Sequence, residues 1–194
     1  MLAVIFSVFF VFVTVYPFDS NVIFLTFSKL PQILFNSKEA FASASGFNFW
    51  FLIFGQSVKV DIKIWRYLIF TLIHLYLLKF YNFKQQKQVF YALFIISSGG
   101  WFFLSNMYER YLYLGIVSGL VCTIYNKRLL PYWIFFSFIY LINLINSWIF
   151  PPQLIWLQDV LHSNDFLIAK ILTLINIGLY LRMVNILHQE ITNK

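Results

Sequence analysis

Charged residues are scarce in this sequence: they make up 11% of its 194 residues, whereas 61% of the residues are hydrophobic. A soluble globular domain is about a quarter charged and about half apolar. No soluble fold could cover this much apolar side chain, so the composition predicts an integral membrane protein. The expected fold class is all-α, a polytopic bundle of transmembrane helices, because helices satisfy their own backbone hydrogen bonds in lipid.

Acidic residues and cysteine are rarer still, with seven Asp and Glu against 14 Lys and Arg and a single cysteine, Cys122. One cysteine excludes an intramolecular disulfide and a cysteine metal cluster, and we expect Cys122 to be a small core residue. The basic residues are scattered among apolar runs, so nucleic acid is not an expected partner. The sequence has no phosphate-binding loop, zinc-helix motif or nucleophile elbow, and neither cofactor nor metal is predicted.

Six hydrophobic segments approach the length of about 20 residues that a helix needs to cross a bilayer. They are Met1–Phe18, Ile64–Tyr81, Val89–Met107, Leu112–Tyr125, Pro131–Phe150 and Phe166–Leu187. The fourth is short, and we expect it to borrow Tyr108–Tyr111 at one end. The apolar stretch Phe47–Phe54 is too short to cross and predicts a re-entrant or interfacial helix. We therefore predict one transmembrane domain over residues 1–194.

Lys and Arg between the segments predict the orientation of the chain. Lys79, Lys84 and Lys87 follow the second segment, and Lys127 and Arg128 follow the fourth. We expect both loops and both termini on the cytoplasmic side of a bacterial cytoplasmic membrane, or of the endoplasmic reticulum membrane in a eukaryote. The loops expected on the outer side are Asp19–Lys63, Asn106–Tyr111 and Pro151–Asp165.

Polar residues inside the segments are candidates for function or for helix contact. His74 predicts either an inter-helix hydrogen bond or a proton carrier. Lys170 is expected to extend to the membrane surface, and contact with an anion is the alternative. Small residues at Ser97–Gly100 and at Gly115 and Gly119 predict close helix packing. A further set of polar residues is expected to form inter-helix hydrogen bonds: Asn143, Asn146, Ser147, Asn176 and Asn185. A polar track for a substrate would have the same pattern.

The most concentrated polar group is the loop sequence Tyr108-Glu109-Arg110-Tyr111 between the third and fourth segments. Arginine offers a planar fork that matches phosphate oxygens, glutamate can accept hydrogen bonds from sugar hydroxyls, and tyrosine rings can stack on sugars. The alternative is an aromatic belt with interfacial charges that stabilises a helical hairpin. Both interpretations are open from the chemistry alone.

Two motifs resemble a known family. The segment Phe41–Gly55, FASASGFNFWFLIFG, is similar to the "Ala-Ser-x-Asn-Ala-Phe-Asn-Leu-Trp-Ala-Leu-Leu-Gly" stretch of bacterial mannosyltransferases related to the GPI-anchor mannosyltransferase II family, members of the GT-C superfamily. Met107–Leu112, MYERYL, resembles their "Met/Val-His-Glu-Arg-Tyr-Leu" motif, with Tyr108 in place of the histidine. The resemblance runs in order from about Val15 to about Ile149.

The resemblance implies a membrane-embedded glycosyltransferase that transfers a sugar, mannose in the relatives, from a polyprenyl-phosphate donor on the non-cytoplasmic face. Membrane lipid and the lipid-linked donor are then its partners. Arg110 is implied to face phosphate, Glu109 to orient Arg110 or a sugar hydroxyl next to Tyr108, and Asn48 with Trp50 to line the donor site. The catalytic residue is unknown.

The acidic outer loop near the N-terminus of such enzymes has no match here. We therefore expect the chain to correspond to the C-terminal portion of a larger GT-C domain, whose other half a second chain could supply. The alternatives are a non-catalytic membrane component or degenerate remnant, and a small-solute transporter.

Overall fold

The computed structural model describes residues 46–56, 58, 63–79, 81–104, 109–147 and 152–192, all within one unit, Ala40–Lys194. Across these ranges the chain is helical and has no β-strand, which confirms the all-α prediction. The α-helices are α1 (Phe49–Phe54), α2 (Lys63–Leu78), α3 (Gln86–Phe103), α4 (Tyr113–Tyr125), α5 (Leu130–Ser147) and α6 (Ile155–Thr192). Short 3-10 helices at Glu109–Leu112, Lys127–Leu129 and Pro152–Leu154 precede α4, α5 and α6.

The short helix α1 has clear start and stop signals. Asn48 Oδ1 accepts a hydrogen bond from the Phe51 amide at 3.0 Å, which satisfies one of the free amides of the first turn. Gly55 ends the helix at a φ of 83°, a left-handed conformation that glycine adopts without steric cost. The short helix predicted from Phe47–Phe54 is confirmed, and its re-entrant or interfacial placement stays a prediction.

The core forms around α3, which contacts α1, α2, α4 and α6. Small residues allow α4 to approach α3 closely, because a Cβ added at Gly115 would overlap the Ser98 hydroxyl and one at Gly119 would lie 3.1 Å from the Phe94 ring. Cys122 on the same helix is fully buried. The predicted close packing of the small residues and the core position of the cysteine are both confirmed.

Two helical segments of the described chain are long and apolar enough to cross a membrane, Lys127–Ser147 and Ile155–Thr192. Shorter apolar helices cover Tyr67–Leu77 and Tyr113–Tyr125. The first predicted span, Met1–Phe18, lies outside the described residues. The prediction of six spans is therefore not confirmed by helix length and hydropathy.

Helix α6 differs from the sequence prediction, which placed a loop over residues 151–165. The helix begins at Ile155 and is broken at Ser163–Phe166, where Asn164, Asp165 and Phe166 have φ values of 48°, 56° and 60°. Asn and Asp enter this left-handed region more readily than other residues with side chains, which accounts for Asn164 and Asp165 but not for Phe166. The loop prediction was wrong because the polar residues in this stretch concealed its helical pattern. Leu157 and Leu161, which are four positions apart, both pack into the core.

The outward faces of α5 and α6 carry large apolar side chains. Phe135 is 62% exposed, Phe138 59% and Leu174 60%. In each of the two long helices, one third of the most apolar stretch (33%) is buried inside the protein. Soluble monomers rarely expose apolar patches of this kind, and such patches mark contact with lipid or with another protein.

Candidate functional site

The family-like residues Asn48 and Trp50 lie against the last turn of α3. Trp50 is 4% exposed, and its indole N–H donates to the carbonyl oxygen of Phe103, the last residue of α3, at 2.8 Å. Asn48 is fully buried and caps α1 through its side-chain oxygen. Its amide nitrogen has no hydrogen-bond partner within the described part of the chain. The donor-site role of these two residues stays a prediction.

The second motif begins close to the same point. Glu109 and Arg110 belong to the 3-10 helix Glu109–Leu112, which contacts α3, α4 and α5. Glu109 follows Phe103 by six positions, so the Cα atoms of the two residues are at most about 20 Å apart even if the chain between them is extended. Only the backbone of Glu109 and Arg110 is described, and Tyr108 lies outside the described residues. The described parts of both motif segments, residues 46–55 and 109–112, therefore lie near the same end of α3.

The break in α6 lies at this end too. The rings of Phe51 and Phe166 meet edge to face with centroids 6.0 Å apart, so α1 packs on the residue where the break ends. We call this region, which comprises α1, the 3-10 helix Glu109–Leu112 and the break in α6, the α1 end. Beyond the break, Lys170 Nζ forms an ion pair of 3.1 Å with Asp165, whose side chain is 91% exposed. Lys170 thus reaches an exposed carboxylate, and its extension to a membrane surface stays a prediction.

Hydrogen bonds join α5 to α6 at Asn146. Its Oδ1 lies 3.0 Å from His162 Nε2, and its carbonyl oxygen accepts from Gln158 Nε2 at 2.9 Å. The predicted inter-helix role is confirmed for Asn146. It is wrong for Asn143 and Asn176, which are each 1% exposed and whose side-chain amides have no hydrogen-bond partner within the described ranges.

A polar contact among three helices lies in the middle of the bundle. His74 of α2 places Nδ1 2.5 Å from the Phe70 carbonyl oxygen and Nε2 3.1 Å from the Ile95 carbonyl oxygen. The Tyr180 hydroxyl of α6 donates to the same Ile95 oxygen at 3.1 Å. Gly99 leaves the space for both groups, because a Cβ there would overlap the His74 ring. The prediction that His74 makes an inter-helix hydrogen bond is confirmed.

At the opposite end of α3, Glu190 is held by three groups from other parts of the chain. Its carboxylate accepts from Lys87 Nζ at 2.9 Å, from Asn126 Nδ2 at 2.7 Å and from the Tyr91 hydroxyl at 3.0 Å. We call this region the Glu190 end. The sequence analysis missed this cluster, because Lys87 and Glu190 are 103 positions apart and no local pattern links them.

The electrostatics of Glu190 follow from these contacts. Partial burial raises the pKa of a carboxyl group, but the hydrogen bonds from Lys87, Asn126 and Tyr91 and the charge of Lys87 outweigh it. The pKa of Glu190 is therefore lowered below its usual value, and its carboxylate is ionised at neutral pH. The side-chain oxygen of Asn126 makes a different contact from its amide nitrogen. It accepts a hydrogen bond of 3.0 Å from the backbone amide of Arg128, just before α5.

A pocket of about 790 Å³ opens beside Glu190, between the start of α5 and the end of α6. Two guanidinium groups line it, from Arg128 and Arg182, and we call it the arginine pocket. The guanidinium carbon of Arg182 lies 5.9 Å from the centroid of the Tyr132 ring, within the range of a cation–π contact. The rest of the lining consists of Tyr125, Asn126, Pro131, Tyr132, Ile186, Gln189 and Glu190.

Similarity to known proteins does not assign a function to this chain, and metal-binding residues do not assign one either. A comparison with known proteins finds no matching family model, no matching curated protein and no matching solved structure. Among the described residues no group of three His, Cys, Asp or Glu side chains could hold a metal ion.

Proposed function

We propose that the protein is a multi-pass membrane protein. Besides the two long helices, α3 with 18 residues is about 27 Å long, and α4 reaches about the same length together with the 3-10 helix before it. Those lengths approach the roughly 30 Å of a bilayer core. Exposed apolar side chains on α2 and α4 support lipid contact, with Leu75 and Ile124 each 65% exposed. The lysines and arginines at the Glu190 end favour the cytoplasmic side for it.

Within that membrane placement, the function that we propose is transfer of a sugar from a polyprenyl-phosphate donor at the α1 end. One observation carries the proposal: the described parts of the two motif segments that resemble the GT-C mannosyltransferases, residues 46–55 and 109–112, lie near the last turn of α3. They lie far apart in sequence, and Trp50 bonds directly to the residue that precedes the second loop by a few positions. A shared site needs this proximity, and mannose is the sugar that the resemblance favours.

The chemistry at this end would be inversion at the anomeric carbon. A carboxylate acts as general base on the acceptor hydroxyl, and a basic residue stabilises the departing lipid phosphate. Arg110 is proposed to hold that phosphate and Glu109 to orient Arg110 or a sugar hydroxyl. Asn48, a buried residue that caps α1, and Trp50, which donates to the Phe103 carbonyl oxygen, are proposed to position α1 as a wall of the donor site.

The test is sugar transfer by Arg110→Ala, measured in membrane vesicles with polyprenyl-phosphate mannose as donor. Loss of one donor to a developing anion lowers turnover about 10²–10³-fold. Lys127→Ala, which removes an exposed cation at the Glu190 end, is the matched control and should keep full activity. Equal expression of the variants is checked by size-exclusion chromatography. Full transfer by Arg110→Ala would refute the assignment.

A second candidate function is that of a non-catalytic membrane component. It is favoured by the fact that Trp50 and the Asn48 oxygen are engaged in internal hydrogen bonds, and by the ion pair that occupies Asp165. Under this alternative the wild-type protein transfers no sugar in the same vesicles and co-purifies with another membrane protein after crosslinking. Turnover by the purified wild-type chain would exclude it.

A further inference from the structure

The arginine pocket lies at the Glu190 end, at the other end of the bundle from the motif segments. Its volume of about 790 Å³ falls within the range of roughly 300–1,000 Å³ that is usual for small-molecule sites. Arg128 comes from the 3-10 helix before α5, and Arg182 comes from α6. Because two elements supply its cations, the pocket is a concave site and not the surface of one helix.

The charge of the pocket is not balanced by its own carboxylate. Glu190 already accepts hydrogen bonds from Lys87, Asn126 and Tyr91 on its two oxygens. Within the described ranges, the ion pairs are Lys87 with Glu190 and Lys170 with Asp165. Neither arginine of the pocket therefore has a carboxylate partner there.

The position of Arg182 indicates what kind of anion fits. It precedes Glu190 by eight residues, so its Cα lies about 12 Å farther into the bundle along the helix. If α6 crosses a membrane with Glu190 at its aqueous surface, Arg182 lies deeper, toward the headgroups and the hydrocarbon, where a guanidinium without an anionic partner is costly. Phosphate oxygens match the fork of a guanidinium and are abundant at that depth.

We propose that the arginine pocket binds a phosphate group, through Arg182 and Arg128, with Tyr132 as the wall behind Arg182. Gln189 and the Asn126 amide lie in the same lining and can contact a polar headgroup. The phosphate can come from an anionic lipid headgroup or from a soluble phosphate compound. The site is independent of sugar transfer, so failure of one proposal leaves the other standing.

The experiment measures thermal unfolding of the full-length protein in detergent with four separate probes. They are dioctanoyl phosphatidic acid, dioctanoyl phosphatidylglycerol, dioctanoyl phosphatidylcholine and inorganic phosphate. We expect the two anionic lipids to raise the unfolding temperature and phosphatidylcholine not to do so. If inorganic phosphate alone gives the same increase, the natural ligand is a soluble phosphate; if only the lipids do, it is a headgroup.

Variants separate the pocket from general surface charge. Arg182→Gln should weaken binding of phosphatidic acid by about tenfold or more, because a bidentate charged contact is lost. Lys127→Gln makes the same charge change on an exposed neighbour and should bind as the wild type does. If Arg182→Gln does not fold, Arg128→Gln serves as the test. Equal responses to phosphatidylcholine and phosphatidic acid, unchanged affinity in the arginine variants, or an equal loss in Lys127→Gln would overturn the proposal.

Discussion

Gly99 is the position where we expect a single methyl group to have the largest effect on stability. It lies on α3 where the His74 imidazole and the Tyr180 hydroxyl both reach the Ile95 carbonyl oxygen. In Gly99→Ala the new Cβ would overlap His74 Nε2 and lie 2.7 Å from the Tyr180 oxygen. Since His74 is 4% and Tyr180 0% exposed, neither side chain has open space to move into.

The size of the effect follows from the hydrogen bonds at risk. A buried hydrogen bond contributes about 0.5–1.5 kcal/mol, and a buried donor left without a partner costs about 1–3 kcal/mol. Alanine is favoured over glycine in a helix by at most about 1 kcal/mol, which offsets part of the loss. Displacement of His74, Tyr180 or both should therefore lower the free energy of unfolding by about 2–4 kcal/mol.

The assay is unfolding of the purified protein in detergent, with two other helical glycines as matched controls. At Gly100 an added Cβ would lie 3.6 Å from its nearest neighbour, the Phe70 ring, which is ordinary van der Waals contact. At Gly178 it would meet nothing within 4 Å. We expect Gly100→Ala and Gly178→Ala each to stabilise by about 0.5–1 kcal/mol, because alanine is favoured over glycine inside a helix.

Two results would refute this reasoning. One is a Gly99→Ala variant as stable as Gly100→Ala. The other is additivity in a double-mutant cycle with His74→Ala, because a clash with the imidazole requires that His74→Ala cost less in the Gly99→Ala background than in the wild type.

Two further predictions concern polar groups in the bundle. The folded-state pKa of Glu190 is lowered by its partners, so its stabilisation is complete above the ordinary Glu pKa of 4.5 and is lost as the pH falls through the lowered value. The stability advantage of the wild type over Glu190→Gln should therefore shrink on acidification in detergent unfolding curves, and a constant difference would contradict the ion pair with Lys87. Asn143→Leu and Asn176→Leu should each raise the free energy of unfolding by up to about 1–3 kcal/mol, because they remove buried amides without partners. Asn146→Leu should lower it through loss of the His162 bond. A loss of stability in all three variants would show that the amides of Asn143 and Asn176 have partners, and a gain in all three would contradict the role of the His162 bond.

The helices themselves were largely predictable from the sequence. The predicted segments beginning at Ile64, Val89, Leu112 and Pro131 coincide with α2 to α5 to within a few residues at their starts. Their ends were less accurate: the predicted third segment ran to Met107, but α3 ends at Phe103. Apolar composition does not report where the backbone leaves helical geometry, so such boundaries depend on caps and turns.

The candidate sites were predictable only in part. Asn48, Trp50, Glu109 and Arg110 were chosen from two separate motifs, and the bond from Trp50 to the end of α3 brings their segments to one end of the bundle. The arginine pocket was not predicted at all. Arg182 lay in an expected span, and its sequence neighbours do not show that Tyr132 would lie beside it.

The sequence by itself determined the helical class and the close-packed faces, because both depend on local hydropathy and on small residues at helical spacing. The buried positions of Cys122, Gly115 and Gly119 follow from those patterns. Only the tertiary structure decided which polar groups pair. Asn146 finds His162 across the helix interface while Asn143, three residues earlier, finds no partner in the described chain. Glu190 meets Lys87 and Tyr91. A hydrogen bond depends on ångström-scale placement of two side chains from different helices, which helical periodicity does not encode.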